Sequence, residues 1–345
     1  MKAWQADLAI VGAAAIWGLS FIFTSWGLES LSPALFLLCR FLVALSASAA
    51  LFWKCLRGIP KRTARRGLAL GFLMGTGYLL QNYSINFTEV PRAAFIAALT
   101  LPAIPVVSFV LFREKVKSYN LAGILLALVG AYLLIDPSFG GVRSGDVIAL
   151  LSVPMWALYL IYMSRFTEGD DDPLLTKRLL ILQFAGAVPL VLLTAFVFES
   201  GILPPVHPEL SKAFAPNAHF WIGLAFCAFL ASIGIVFIQT ACQKYTSPVQ
   251  AMLCFQFEPV TATVFAWPIL GQKIGLLAGA GAAIIILGVV TSELGGIMAA
   301  KKEDAAAAPG TSGTSVDLGK SGTSVDLGKS EASVDLGKSE ASGDS

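Results

Sequence analysis

The chain has 345 residues, 56% apolar and 13% charged, and 24 Lys and Arg against 22 Asp and Glu leave a net charge of +2. A soluble domain carries about 25% charge, so this composition cannot clothe a soluble surface, and it offers no basic excess to bind nucleic acid. The five cysteines, Cys39, Cys55, Cys227, Cys242 and Cys254, lack the clustering that a zinc site or disulfide framework needs and read as small buried apolar residues.

Ten apolar runs follow in order, at 6–27, 33–53, 67–86, 92–112, 118–135, 145–165, 174–198, 218–241, 247–270 and 274–293. Runs of about 20 apolar residues match the hydrocarbon thickness of a bilayer. The stretch from Leu121 to Leu134 lacks the alternation of a barrel strand, so the fold class is all-α, a polytopic membrane protein whose helices satisfy their own backbones. The first run is too long for a signal peptide, and a second follows within a few residues, so it reads as a mature span.

Basic residues gather in alternate loops. Lys54, Arg57, Lys61, Arg62, Arg65 and Arg66 follow the second span, Arg113, Lys115 and Lys117 the fourth, and Arg165 and Lys177 the sixth. The intervening loops carry Arg92, Arg143, Lys212 and Lys273. By the positive-inside rule both termini are cytoplasmic and the protein lies in the inner (plasma) membrane. Residues 298–345 change character to Ala, Gly, Ser and Thr, with SVDLGK at Ser315, Ser324 and Ser333, and read as a disordered cytoplasmic tail.

The membrane part is internally repeated. A shift of 139 places Trp17 on Trp156, Leu19 on Leu158 and Ile22 on Ile161, and Arg40 falls near Arg178. A shift of 158 places Gln81 on Gln239, Thr88 on Thr246, Lys115 on Lys273, Gly123 on Gly281 and Gly130 on Gly288. Two five-helix repeats, residues 1–140 and 141–297, each hold an odd number of spans, so the second must be inverted relative to the first. Inverted repeats characterise secondary transporters, with the substrate near the midplane between halves.

The segments Ala15-Ile16-Trp17-Gly18, Tyr83-Ser84-Ile85 through Pro102, Leu111-Phe112-Arg113-Glu114-Lys115 and Phe257-Glu258-Pro259-Val260 stand in an order that resembles the EamA branch of the drug/metabolite transporter superfamily. Gly271-Gln272-Lys273 departs from that pattern, with Gln272 where the family has an acid. The resemblance implies a ten-helix carrier of small metabolites with a central cavity.

No phosphate-cradling GxxxxGK and no HExxH stands in the chain, so it reads as no enzyme, with no cofactor and no metal. His207 and His219 fall in or beside a Pro-rich loop and read as surface, and Asp170-Asp171-Asp172 reads as a solvated loop. Polar groups at membrane depth carry the functional signal. Glu258, mid-span and followed by Pro259, is the acid for proton coupling or for a substrate amine, or else a structural partner of Arg40 or Arg178 or a protonated carboxyl hydrogen-bonded to a neighbour. Arg40 reads equally as a carboxylate binder or an ion-pair member. Trp17, Ser20 and Thr24 share one helical face, as do Ser152, Trp156, Tyr159 and Met163. With Tyr78, Gln81, Asn82, Gln239 and Thr100 (the repeat counterpart of Glu258), Trp17, Ser20, Trp156, Tyr159 and Glu258 form the predicted substrate wall. Gly67, Gly71 and Gly75, and Gly275 and Gly279, repeat at four and predict tight helix packing.

The substrate reading is a small metabolite such as an amino acid, moved outward; the oligomeric state is left open. A nucleotide-sugar or sugar-phosphate antiporter would need lysines within the later spans, where only Lys244 and Lys273 stand at edges. A scaffold acting through its tail is the third reading.

Overall fold

The computed structural model describes residues 3–113, 118–135, 142–167, 172–199, 216–242, 255, 257–272 and 275–307. Glu114, Lys115, Lys117, Asp136, Asp170, Asp171, His207, Lys212, Lys244, Thr246, Cys254, Lys273 and the SVDLGK repeats lie outside the described residues. Met1–Glu303 is one compact unit, and Asp304–Ser345 separates as another.

Among the described residues the structure is helical throughout. The elements are α1 (Ala3–Ser30), α2 (Pro33–Leu51), α3 (Lys61–Phe87), α4 (Val90–Ala98), α5 (Thr100–Phe112), α6 (Ser118–Ile135), α7 (Ser144–Thr167), α8 (Leu175–Phe198), α9 (Ala218–Ala225), α10 (Ile235–Cys242), α11 (Phe257–Leu270) and α12 (Leu276–Ala307). Among the described residues, six stretches are long and apolar enough to cross a membrane: Leu8–Ser30, Pro33–Leu51, Val90–Phe112, Ser144–Thr167, Leu175–Phe198 and Ala218–Gln239. Leu121–Gly130, Phe257–Leu270 and Gly279–Gly288 are shorter apolar helices. Large apolar side chains such as Leu128, Val129, Leu193, Phe196 and Trp267 point outward, as a lipid-facing surface requires.

Local chemistry sets the boundaries. Ser32 is extended and Pro33 opens α2, where a missing N–H costs nothing. Lys61–Arg66, expected in a loop, instead form the first turns of α3, because Pro60 presets the entry and Lys and Arg are good helix formers. The fourth span breaks at Leu99 between α4 and α5. Pro102 cannot donate back to Ala98, and the Leu99 N–H tightens onto the Ile96 carbonyl at 3.0 Å. Between α9 and α10 the chain widens into a π-helical segment, Phe226–Gly234.

Small residues set the closest approaches. In α3, Gly67 faces Leu182, Gly75 faces Ala187, and a Cβ on Gly71 would stand 2.2 Å from the Gln183 carbonyl of α8. Among the described residues nothing lies within 4 Å of a Cβ on Gly275, so the packing expected of it is not seen there. Helices α6 and α12 meet through a reciprocal contact. A Cβ on Gly130 would lie 2.6 Å from both the Gly281 carbonyl and the Ile285 nitrogen. A Cβ on Gly288 would lie 2.6 Å from the Gly123 carbonyl and 2.8 Å from the Ala127 nitrogen. Adding 158 to Gly123, Ala127 and Gly130 gives Gly281, Ile285 and Gly288, so each contact is the counterpart of the other.

Candidate functional site

A cavity of about 70 Å³ is walled by Trp17 of α1, Gln81 of α3, Ala97 and Ala98 of α4, Thr100 and Leu101 of α5, Trp156 and Leu160 of α7, Gln239 of α10, Phe255, and Glu258 and Pro259 of α11. The break at Leu99 lies against it, so residues on both sides of the break reach the wall. Under the sequence shifts the wall pairs with itself: Trp17 with Trp156, Gln81 with Gln239, Ala97 with Phe255, Thr100 with Glu258, and Leu101 with Pro259.

Gly18 lets α1 approach α11 beside this cavity; a Cβ there would stand 2.3 Å from the Glu258 carbonyl. The Glu258 side chain, partly accessible, has no hydrogen-bond or ion-pair partner among the described residues. Two other acids near helix ends, Asp146 and Glu199, are satisfied. Asp146, fully buried, accepts from Thr88 Oγ1 at 2.7 Å, Arg92 Nη2 at 2.6 Å and the Arg143 N–H at 2.9 Å. Glu199 accepts from Ser32 Oγ at 2.6 Å, Tyr83 Oη at 2.7 Å, and the N–H groups of Ala34 at 3.0 Å and Leu35 at 3.1 Å. It caps α2 from the end of α8, where a carboxylate meets unsatisfied N–H groups and the positive end of the helix dipole.

An aromatic chain runs from the cavity into the core. Trp17 meets Trp156 edge to face at 5.7 Å, Trp156 meets Tyr78 at 4.9 Å, and the Arg40 guanidinium lies 4.5 Å above the Tyr78 ring. Arg40 is 1% exposed and has no carboxylate partner among the described residues. Its Nε donates to Ser232 Oγ in the π segment at 2.8 Å, and Ser232 donates on to the Cys227 carbonyl. The ring face and this hydroxyl are what hold its charge at depth. Arg178 is not a partner of Glu258: it pairs with Asp172 at 2.7 Å and donates to the carbonyls of Cys55, Arg57 and Gly58.

Of the predicted wall, Trp17, Gln81, Thr100, Trp156, Gln239 and Glu258 meet at the cavity, and the rest lie elsewhere. Ser20 Oγ donates to the Trp17 carbonyl at 2.6 Å. Asn82 Nδ2 donates to the Pro33 carbonyl at 3.3 Å, and Tyr159 Oη donates to Gln183 Oε1 at 2.7 Å. Each therefore spends its polar group within the helix packing. Tyr78 and Arg40 stand behind Trp156 rather than in the wall. Helical periodicity assigns a face but not which neighbour covers it, which is why Ser20 and Tyr159 part from Trp17 and Trp156. Phe255, Leu160 and Leu101 are wall residues that sequence reasoning missed, although the 158 shift linking Leu101 to Pro259 was available. His219, read as surface in or beside a loop, is exposed in the first turn of α9, where its ring stacks on Trp26 at 4.5 Å.

A family model, the EamA-like transporter family, matches residues 4–136 and again residues 143–293. The chain belongs to the EamA-like transporter family. An uncharacterized transporter of Archaeoglobus fulgidus is 24% identical over 85% of this chain and 87% of its own length. A probable amino-acid metabolite efflux pump of Salmonella typhimurium is 25% identical over 81% of this chain and 92% of that protein. One from Escherichia coli is 24% identical with the same coverage. A solved crystal structure superposes with a TM-score of 0.60 at 18% identity, covering 88% of this chain and all of that one, a likeness of fold. This EamA-like chain is thus a multi-pass membrane transporter.

Proposed function

We propose that the protein is a secondary transporter of small metabolites, amino acids or related compounds, working outward by alternating access through the cavity between Trp17 and Trp156. Its membrane part is read as ten helices in two inverted five-helix halves, residues 1–140 and 141–297, with both termini in the cytoplasm and the protein in the inner membrane. The self-pairing of the cavity wall and the reciprocal glycine contact between α6 and α12 support that reading, as does the double family match. The names of the Salmonella and Escherichia coli relatives support amino-acid metabolites and efflux.

The carrying observation is Glu258, the one charged wall residue among the described residues, facing two amides and a hydroxyl. An unpartnered carboxylate at membrane depth costs about 2.5–3.5 kcal/mol on insertion scales, a cost that a proton or a substrate ammonium removes. Gln81, Gln239 and Thr100 offer donors and acceptors to the remainder of an amino acid, and the two indoles give its side chain an apolar surface. A phosphate would face this carboxylate with no cation among the described wall residues, so a nucleotide-sugar or sugar-phosphate substrate fits that wall poorly. A cavity of 70 Å³ is smaller than the usual 300–1,000 Å³ ligand site, so the cycle has to widen it.

Proteoliposomes loaded with a pool of L-amino acids and placed in a pH gradient test this reading. Wild type should release amino acids at a rate that follows the gradient, whereas Glu258→Gln should fold normally and lose the pH dependence. Wild-type release by Glu258→Gln, with its pH dependence intact, would exclude the role.

A further inference from the structure

At the start of α3, Lys61, Arg62, Arg65 and Arg66 wall a groove of about 530 Å³ together with Ala69 and Phe166 of α7. Lys61, Arg62 and Arg65 are exposed and have no ion-pair partner among the described residues. Arg66 instead braces the wall, lying 5.1 Å above the Phe166 ring and donating to the Phe166 carbonyl at 3.1 Å. A second groove of about 460 Å³ shares Ala69 and Phe166 and continues along Phe72, Leu73 and Tyr162. Arg62, Arg65, Arg66, Ala69, Phe72 and Leu73 recur at three and four residues, so one face of α3 turns from cationic to apolar within about two turns.

On the ten-helix reading proposed above, on which this inference rests and in which residues 67–86 are the third span, α3 enters the bilayer from its basic end, which puts the charged groove at head-group level and the apolar groove at acyl-chain depth. A soluble anion has no use for the lower groove, and a neutral lipid has none for the upper. The geometry points to a binding site for one anionic diacyl phospholipid, its phosphate among Lys61, Arg62 and Arg65 and one acyl chain along Phe72, Leu73 and Tyr162. Basic pockets beside spanning helices recognise anionic head groups in this way, and the amino end of α3 adds its dipole to the same charge. The site is separate from the cavity around Glu258, so its occupancy does not depend on what is transported.

The test uses the full chain, purified in detergent and offered equal amounts of dioleoylphosphatidylglycerol and dioleoylphosphatidylcholine, with retained lipid counted by native mass spectrometry. Wild type should keep one phosphatidylglycerol in clear preference. Joint Lys61→Gln, Arg62→Gln and Arg65→Gln should bring the ratio of the two lipids to about one, with affinity for the anionic lipid falling roughly a hundredfold at about 1 kcal/mol per basic residue. Ala69→Trp, which blocks the passage between grooves without changing charge, should also lose the bound lipid. Phosphatidylglycerol should raise the melting temperature of wild type, while glycerol phosphate at equal ionic strength should not. Equal retention of the two lipids by wild type, or an undiminished preference in either variant, overturns the proposal. So does equal stabilisation by glycerol phosphate, which would reveal a head-group anion site alone.

Discussion

The rings of Trp17 and Trp156 meet edge to face with centroids 5.7 Å apart, although 139 residues separate them in the chain. Both belong to the cavity wall, and Trp156 also carries Tyr78 and Tyr159 on its other edges, at 4.9 and 5.6 Å. The pair therefore joins the cavity wall to the packed core. Aromatic pairs of this geometry are worth about 0.5–1.5 kcal/mol beyond their buried area. A double-mutant cycle with Trp17→Leu and Trp156→Leu, read by unfolding, should return a coupling energy of that size. Each single variant should also weaken the apparent affinity for substrate several-fold. A coupling near zero would deny the contact.

Glu199 makes a second prediction, about how the end of α8 is fastened to the start of α2. Its two oxygens take four donors, two of them the backbone N–H groups of Ala34 and Leu35. Glu199→Ala strands all four and should lower stability by at least ~2 kcal/mol, since hydrogen bonds to a charged group contribute about 1.5–3 kcal/mol each. Glu199→Gln keeps one acceptor oxygen and should lose less. Equal losses for Ala and Gln would mean that packing rather than acceptance matters here.

What the sequence disclosed follows from rarity and periodicity. Tryptophan and glutamine are scarce in apolar helices, so the recurrence of Trp17 at Trp156 and Gln81 at Gln239 stood out, and all four line the cavity. Glu199 and Asp146 were illegible as joints, because their partners lie up to 167 and 58 residues away. A carboxylate at a span end looks alike whether it meets water or caps a distant helix. The break at Leu99 was hidden for a different reason: an apolar run that contains Pro102 reads as one span until the geometry shows where the missing donor is felt.

Asp172 yields a pH prediction outside the spans. The Leu174 N–H donates to it at 2.9 Å and Arg178 at 2.7 Å, and these, the backbone bond first, hold its carboxyl below the usual carboxylate range. A group depressed in the folded state stabilises above its unfolded pKa, near 3.9, and stops doing so as the pH falls through its lower folded value. The melting temperature of Asp172→Asn should therefore trail wild type by a constant margin from pH 7 to about pH 5, and the margin should close below about pH 4. A margin that widens on acidification would contradict the assignment.

The reciprocal contact between α6 and α12 predicts matched effects at Gly130 and Gly288. At each, the nearest obstacle to a methyl group is a backbone carbonyl of the opposite helix, 2.6 Å from where the Cβ would stand. A flexible side chain could yield to it, whereas a helix backbone can yield only by moving the helix. Gly130→Ala and Gly288→Ala should therefore each destabilise, by about 1–3 kcal/mol as overpacking does, despite the higher helix propensity of alanine. Their costs should agree with each other, because the surroundings of one are the counterparts of the other. Once the first substitution has parted the helices the second has less to disturb, so the double variant should cost less than the two singles added. Gly275→Ala, where no atom of the described residues lies within 4 Å, is the control and should stay within about ±0.5 kcal/mol of wild type. Unfolding in detergent measures all four proteins. A strongly destabilised Gly130→Ala beside an unaffected Gly288→Ala would break the equivalence of the two contacts and, with it, the proposed inverted pairing of α6 and α12.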